Sequence, residues 1–363
     1  FGTRPEAIKV APLIEEFNCY KELFDLKVVV TGQHRELLDQ VINVFNIKTD
    51  YDLDVMVENQ SLTYITIEVL KGLDKIFDEE KPDLVMIHGD TTTTMAGSMS
   101  SFYKRIPCAH IEAGLRSHDQ FNPYPEEINR RIADSFSQIF FAPTENNKRN
   151  LISEGIKEED IYVTGNTVVD SLLKILERIE RIKRNKPFSS PGRLIVVTMH
   201  RRENWGMPLA EVSMAIKEVL RRIKDVEIIF PWHKNPKVRD IVSPILGGVP
   251  RVHLIEPLDY ISFISLLKDS YLILSDSGGI QEETPTIKKP LLLLRTVTER
   301  PEAIECRAVR LVGTSYDAVL NNTLELLMNE DSYKSMIPTF NPFGDGKASN
   351  RIINVLKKRF KLN

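Results

Sequence analysis

Two series of short apolar runs alternate with helical patterns along this chain. That alternation constrains the fold more than any other feature of the sequence. The first series includes 26–31, 84–87, 106–111, 139–142 and 161–163, and the second 194–197, 227–230, 252–254, 271–274 and 291–294. Each run is bounded by Gly, Pro or polar residues, as expected for strands buried on both faces of a parallel sheet. Strands that alternate with helices define an α/β architecture. Between the series lies a charged helical stretch, 172–184, and the Pro/Gly/Ser-rich segment 186–192 reads as a linker. A turn at 341–346 precedes a last helical pattern marked by Ile352, Ile353, Val355 and Leu356. Two doubly wound domains are expected, at 1–185 and 186–346.

A length of 363 residues supports about two domains, each with a full core. The net charge of -3 lacks the basic excess of a nucleic-acid-binding protein. Cys19, Cys108 and Cys306 are odd in number and scattered, which fits a reducing compartment without a disulfide framework. No apolar run approaches a membrane span, and no signal peptide is visible. The opening segment, Phe1-Gly2-Thr3-Arg4-Pro5-Glu6, reads as the loop after a strand, so a strand is expected upstream of it.

Three carboxylates fall in loop-like motifs of the first half: Asp90 in 88–91, Glu112 in 110–116 and Glu126 in 123–130. Two directly follow buried runs, where open α/β sheets place their chemistry. A single acid of this kind is more often a helix cap or a solvated charge. Three together favour a site with a positioned base and a different positioned acid. In the second half, Ser275 to Glu283 joins a strand end, a Gly-rich turn and a helix start, the elements of an anion site. Ser277, Gly278 and Gly279 form its turn. Glu283 stands where a carboxylate can accept from ribose hydroxyls. His200, Arg201 and Arg202 follow another strand and suit a diphosphate, as do Arg300, Arg4 and Lys9. The spacings His88-x-Asp90 and His110-x-Glu112 resemble metal ligand pairs. A strand puts i and i+2 on one face without any metal, so core or hydrogen-bonding histidines are favoured and no metal is expected. No dinucleotide fingerprint is present, and no cofactor is expected.

These motifs, with 1–9, 163–167 and 299–303, resemble the non-hydrolysing UDP-N-acetylglucosamine 2-epimerases, in family order over nearly the whole chain. The resemblance implies a GT-B-like fold of two Rossmann-type domains. Its site would lie in the interdomain cleft, and the last helix, 347–363, would cross back onto the first domain. It further implies a cytoplasmic homodimer that acts on a UDP-sugar. Asp90, Glu112 and Glu126 match the family's acid–base residues. Arg4, Lys9 and His200 would stabilise the departing diphosphate. Ser277, Gly278, Gly279 and Arg300 would contact phosphates, Glu283 the ribose, and Leu258 and Phe263 the uracil. Gln33, His34, Arg201 and His233 match a regulatory site of some bacterial members, but Glu36 and Asn59 depart from that pattern. A hydrolysing epimerase, a GT-B glycosyltransferase and a silent nucleotide-sugar sensor are the competing readings.

Overall fold

The structure is a computed structural model that describes residues 1–33, 35–182 and 192–362, without the side chains of Glu36, Leu37 and Ile182. The expected linker at 186–192 and the candidate residue His34 fall largely or wholly outside these residues. The chain separates into two compact units, Phe1–Leu173 with Phe343–Asn363, and Lys174–Pro342.

The first unit holds β1 (Val29–Val30), β2 (Tyr51–Asp52), β3 (Val85–His88), β4 (Cys108–Ile111), β5 (Ile139–Ala142) and β6 (Ile161–Val163). β1 pairs with β2, and β3 to β6 form a second sheet in that order, with every pairing parallel. A largely apolar cavity is lined by β1 and β3 residues together with Leu13, Phe17 and Ile111. β4 and β5 are buried at every position, which explains their unbroken apolar runs. Phe141 lies in a core with Leu13, Phe17, Ile352, Ile353 and Leu356, so the last helix, Ala348–Arg359, packs into this unit. Asp170, in the helix Thr167–Ile182, caps the start of that last helix. Its carboxylate accepts from the main-chain N–H of Ala348 at 3.2 Å and of Ser349 at 2.8 Å. Such a cap contributes about 1 kcal/mol.

The second unit holds β7 (Arg193–Thr198), β8 (Val226–Pro231), β9 (Val252–Ile255), β10 (Leu272–Ser275), β11 (Leu291–Leu293) and β12 (Val309–Leu311). Its sheet order is β9-β8-β7-β10-β11-β12, all parallel. This is the doubly wound order that reverses direction between its first and fourth strands, here β7 and β10. The register pairs Ser275 with Thr198, and their hydroxyls lie 2.7 Å apart. The residues just past β7 and β10 therefore stand side by side, at the reversal where such sheets bind ligands.

Candidate active site

In the first unit the three acids stand on elements anchored by buried partners. Asp90 follows β3, and its carboxylate accepts from Arg130 Nη2 at 2.5 Å. Its carbonyl accepts from Asn129 Nδ2 at 3.0 Å. Arg130 is 2% exposed and donates from its other arm to Glu127 at 2.9 Å. Glu127 in turn accepts from the N–H of Ser117 at 3.0 Å and of His118 at 3.3 Å. Glu126 is not in a loop as its motif indicated. It is the first residue of the helix Glu126–Phe136, whose N-terminal dipole favours an anion there. Residues i and i+4 share a helix face, so Glu126 and Arg130 lie on one side of that helix.

Glu112, just past β4, has the left-handed φ of +69° and is 6% exposed. A non-glycine residue in this region is strained, and such strain persists only where neighbours over-determine it. Those neighbours are visible. Lys9 forms an ion pair with Glu112, and Asn166 Nδ2 donates to the same oxygen at 2.5 Å. Gly89 has φ +70°, and a Cβ added there would stand 3.6 Å from Glu112 Oε1. The Asp90 and Glu112 loops thus abut. Glu6 ties a third loop to them. Its carboxylate accepts from the N–H of Gly2 at 3.0 Å and of Thr3 at 2.9 Å, and from Thr91 Oγ1 at 2.8 Å. Arg4 is the first residue of the helix that Glu6 caps.

Of the two histidines of these motifs, His110 is held by hydrogen bonds, whereas His88 is a buried core residue whose ring nitrogens have no hydrogen-bond partner among the described residues. His110 Nδ1 meets Asp134 at 2.6 Å, and Nε2 meets the carbonyl of Gly89 at 2.7 Å. Asp134 also accepts from Arg116 at 2.7 Å. His88 is buried, and desolvation holds its imidazole down to about 4, so it is neutral near pH 7. Among the described residues no group of three or more His, Cys, Asp or Glu is placed to hold a metal ion.

In the second unit Ser277, Gly278 and Gly279 open the helix Gly278–Ile287. The N–H groups of Gly278 and Gly279 belong to the first turn and point off the helix end, whereas that of Ser277 donates to Ser275 Oγ at 3.0 Å. A Cβ on Gly278 would come within 2.9 Å of Arg300 Nη1, whereas one on Gly279 would meet nothing within 4 Å. Glycine at 278 is thus a close-approach requirement, and Gly279 borders open space. Arg300 is less available than its motif indicated. It is 5% exposed, donates to Glu282 at 2.7 Å and pairs with Glu299. Two carboxylates already balance its charge, so it backs the turn more than it projects from it. Glu283 is buried and accepts from Tyr260 Oη at 2.8 Å. Leu258 and Phe263 are half-buried around the start of the helix Tyr260–Asp269.

His200 is exposed past the end of β7. Its ring lies 5.9 Å from that of His233, which in turn lies tilted against Trp205 at 5.3 Å. Arg201 donates from Nε to the carbonyl of Asp276 at 3.1 Å. Gln33, in the first unit, is 9% exposed and accepts from Thr93 Oγ1 at 3.2 Å. The candidate regulatory residues are thus distributed over both units, and those with described side chains already serve local packing.

Sequence reasoning missed the residues that hold the acids or the loops and helix around them: Glu6, Glu127, Asn129, Arg130, Asp134 and Asn166. Only Glu6 carried a local signal, the Thr-x-x-Glu spacing of a capping box at Thr3. Glu127 and Arg130 are one helical turn apart, but Arg130 and Asp90, or Asn166 and Glu112, lie far apart along the chain, and no local spacing reveals such partners.

Two α/β units with parallel sheets, acids past strand ends and at a helix start in one and a glycine turn at the strand-order reversal of the other place the chain among nucleotide-sugar enzymes of GT-B-like fold. The sequence profile of UDP-N-acetylglucosamine 2-epimerases matches residues 18–357. The UDP-N-acetylglucosamine 2-epimerase of Escherichia coli K12 is 46% identical over 98% of this chain and 97% of its own length. The crystal structure of the Neisseria meningitidis UDP-GlcNAc 2-epimerase bound to UDP-GlcNAc superposes with a TM-score of 0.95 at 44% identity, covering 99% and 98% of the two chains. The Staphylococcus aureus MnaA–UDP structure gives a TM-score of 0.93 at 43% identity, covering 100% and 96%. The chain belongs to the UDP-N-acetylglucosamine 2-epimerase family.

Proposed function

We propose that this protein interconverts UDP-N-acetylglucosamine and UDP-N-acetylmannosamine without hydrolysis, by eliminating UDP and adding it back. The observation that carries this reading is the division of labour between the units. Acids on anchored elements stand in the first, and a glycine turn opening a helix, of the kind that suits an anion, stands in the second. C2 of the sugar is not beside a carbonyl, so direct loss of its proton is difficult. Breaking the C1–O bond first, with its electron pair leaving on UDP, produces an oxocarbenium-like centre. Loss of the C2 proton to a carboxylate base then gives 2-acetamidoglucal. Protonation of C2 on the opposite face and return of UDP oxygen to C1 complete the change, with no atom gained or lost.

Asp90 and Glu126 carry the proton transfers in this scheme, and Glu112 orients the sugar. Arg4, Lys9 and His200 offset the charge that develops on the departing diphosphate, the usual electrostatic contribution to such steps. Ser277, Gly278 and Gly279 hold phosphate, with Arg300 supporting the turn. Glu283 meets the ribose, and Leu258 and Phe263 meet the uracil. The relatives crystallised with UDP-GlcNAc and with UDP support a UDP-sugar as ligand. We further propose a cytoplasmic homodimer that supplies surface-polysaccharide precursors, with no cofactor and no metal. No helix among the described residues is long and apolar enough to cross a membrane.

Incubation with UDP-N-acetylglucosamine in deuterated water tests this by proton NMR. Deuterium at C2 of intact UDP-sugars of both configurations supports epimerisation. Stoichiometric release of free UDP and free N-acetylmannosamine identifies a hydrolysing enzyme instead. Transfer of the sugar to an added acceptor, with no deuterium at C2, identifies a glycosyltransferase.

A further inference from the structure

Asp276 directly follows β10, at the strand-order reversal, and is fully buried. Its carboxylate accepts from the main-chain N–H of His200 at 3.0 and 3.2 Å, one distance to each oxygen. It also accepts from the N–H of Arg201 at 3.0 Å and from Asn204 Nδ2 at 2.9 Å. Its carbonyl accepts from Arg201 Nε at 3.1 Å. Asn204 makes a further bond to the carbonyl of Leu294, next to β11. One buried side chain therefore closes the segment from the end of β7 to the turn Arg202–Asn204 onto the neighbouring strand.

We propose that Asp276 is a positioning residue for the leaving-group site and acts through His200. The proposal rests on the epimerase reading above, in which His200 meets the departing diphosphate. His200 is exposed, and no secondary structure of its own fixes its main chain. Two consecutive N–H groups aimed at one carboxylate leave that main chain a single placement. β7 and β10 are paired in register up to Thr198 and Ser275, so the anchor carries the rigidity of the sheet to the imidazole. The same carboxylate occupies the N–H groups of His200 and Arg201. Phosphate recognition in this segment is therefore left to side chains, and main-chain donation falls to Gly278 and Gly279. Asparagine at 276 keeps the shape and one acceptor. Its amide nitrogen is a donor that faces donors, so the segment must shift. A displacement of about 1 Å can cost up to about a hundredfold in rate.

The test is a double-mutant cycle on turnover, with Asp276→Asn and His200→Asn alone and combined, in variants that retain the parent's circular dichroism. A positioning role predicts that D276N lowers kcat about 10- to 100-fold while KM for UDP-N-acetylglucosamine moves less than about threefold. In the H200N background the same change should cost less than about twofold, because the residue it positions is already gone. An equal fold-loss in both backgrounds, or wild-type kcat in D276N, overturns the proposal. If D276N does not fold, Asn204→Ala carries the same comparison, with a smaller loss that again vanishes in the H200N background. Failure of the epimerase reading shows separately, as a parent enzyme that places no deuterium at C2.

Discussion

Arg130 bridges Asp90 and Glu127, donating to the first at 2.5 Å and to the second at 2.9 Å from opposite arms of one buried guanidinium. The bridge joins the loop after β3 to the start of the helix that carries Glu126. One proposed proton-transfer group, Asp90, is thereby held by a side chain that takes no proton itself and is tied to the helix that begins with the other, Glu126.

Removing either carboxylate's charge should cost chemistry more than structure. Asp90→Asn keeps an oxygen for Arg130, and Glu126→Gln keeps the helix start. Each is expected to lower turnover by about two to four orders of magnitude, the range of lost acid–base help. UDP affinity, measured by calorimetry, should persist because the proposed UDP contacts lie mainly in the second unit. Near-normal turnover in both variants would remove these residues from the mechanism.

Truncating the bridge should do the reverse. Arg130→Met leaves Glu127, 1% exposed on its side chain, without its buried partner. Breaking a buried ion pair from one side costs about 3–5 kcal/mol. Urea unfolding of R130M should show a loss of that order, with R130K intermediate because its ammonium cannot span both carboxylates. Unchanged stability in R130M would show that the bridge is not an anchor.

Lys9 and Glu112 provide a charge-balance test. Lys9→Met removes the ion-pair partner of a buried carboxylate that keeps its bond from Asn166, and a loss of about 3 kcal/mol is expected. Adding Glu112→Gln to K9M should recover part of that stability, because the buried charge is gone, while activity stays low. Additive losses in the double variant would contradict a paired site.

His88 should make stability depend on acid. Its folded pKa, held by burial at about 4, lies below the ordinary 6.5. Between these values the unfolded chain binds the proton that the folded chain refuses. This contribution to stability is full above about pH 6.5 and declines as pH falls toward 4, by roughly 3 kcal/mol in all. The pH dependence of the urea midpoint should therefore flatten over that window in His88→Leu. A variant whose acid sensitivity equals that of the parent would refute the assignment.

Exhaustive chelation should leave epimerase activity unchanged. In the described structure His110 has both ring nitrogens engaged, and Glu112 is paired with Lys9. Activity lost to chelator and restored by zinc or magnesium would revive the His-x-Asp and His-x-Glu motifs as ligands.

The apolar runs made the architecture legible because a strand buried on both faces must be apolar throughout, and its length and boundaries are local properties. β5 spans the same residues as its run, and β4, β7 and β10 differ from theirs by a residue or two at an end. β2 and β12 left no such trace. Tyr51-Asp52 and Val309-Arg310-Leu311 are too short and too mixed to stand out, and they become strands only because β1 and β11 offer edges to pair with. The acids were visible for the same local reason, since each sits beside glycine or proline next to a run or a helix start. Glu126 was misread as a loop residue because the prolines before it look like a turn while serving as the entry to a helix.

By itself the sequence determined two α/β units with parallel strands, the strand ends that carry acids, and the glycine turn that suits an anion. The tertiary structure alone decided which partners those groups have: Arg130 for Asp90, Lys9 and Asn166 for Glu112, Asp276 beneath His200, and the carboxylates that absorb the charge of Arg300. Periodicity and turn chemistry are set by neighbours a few residues away and are written in the chain. Pairing between residues tens of positions apart depends on strand order and register, which exist only after the sheets have formed.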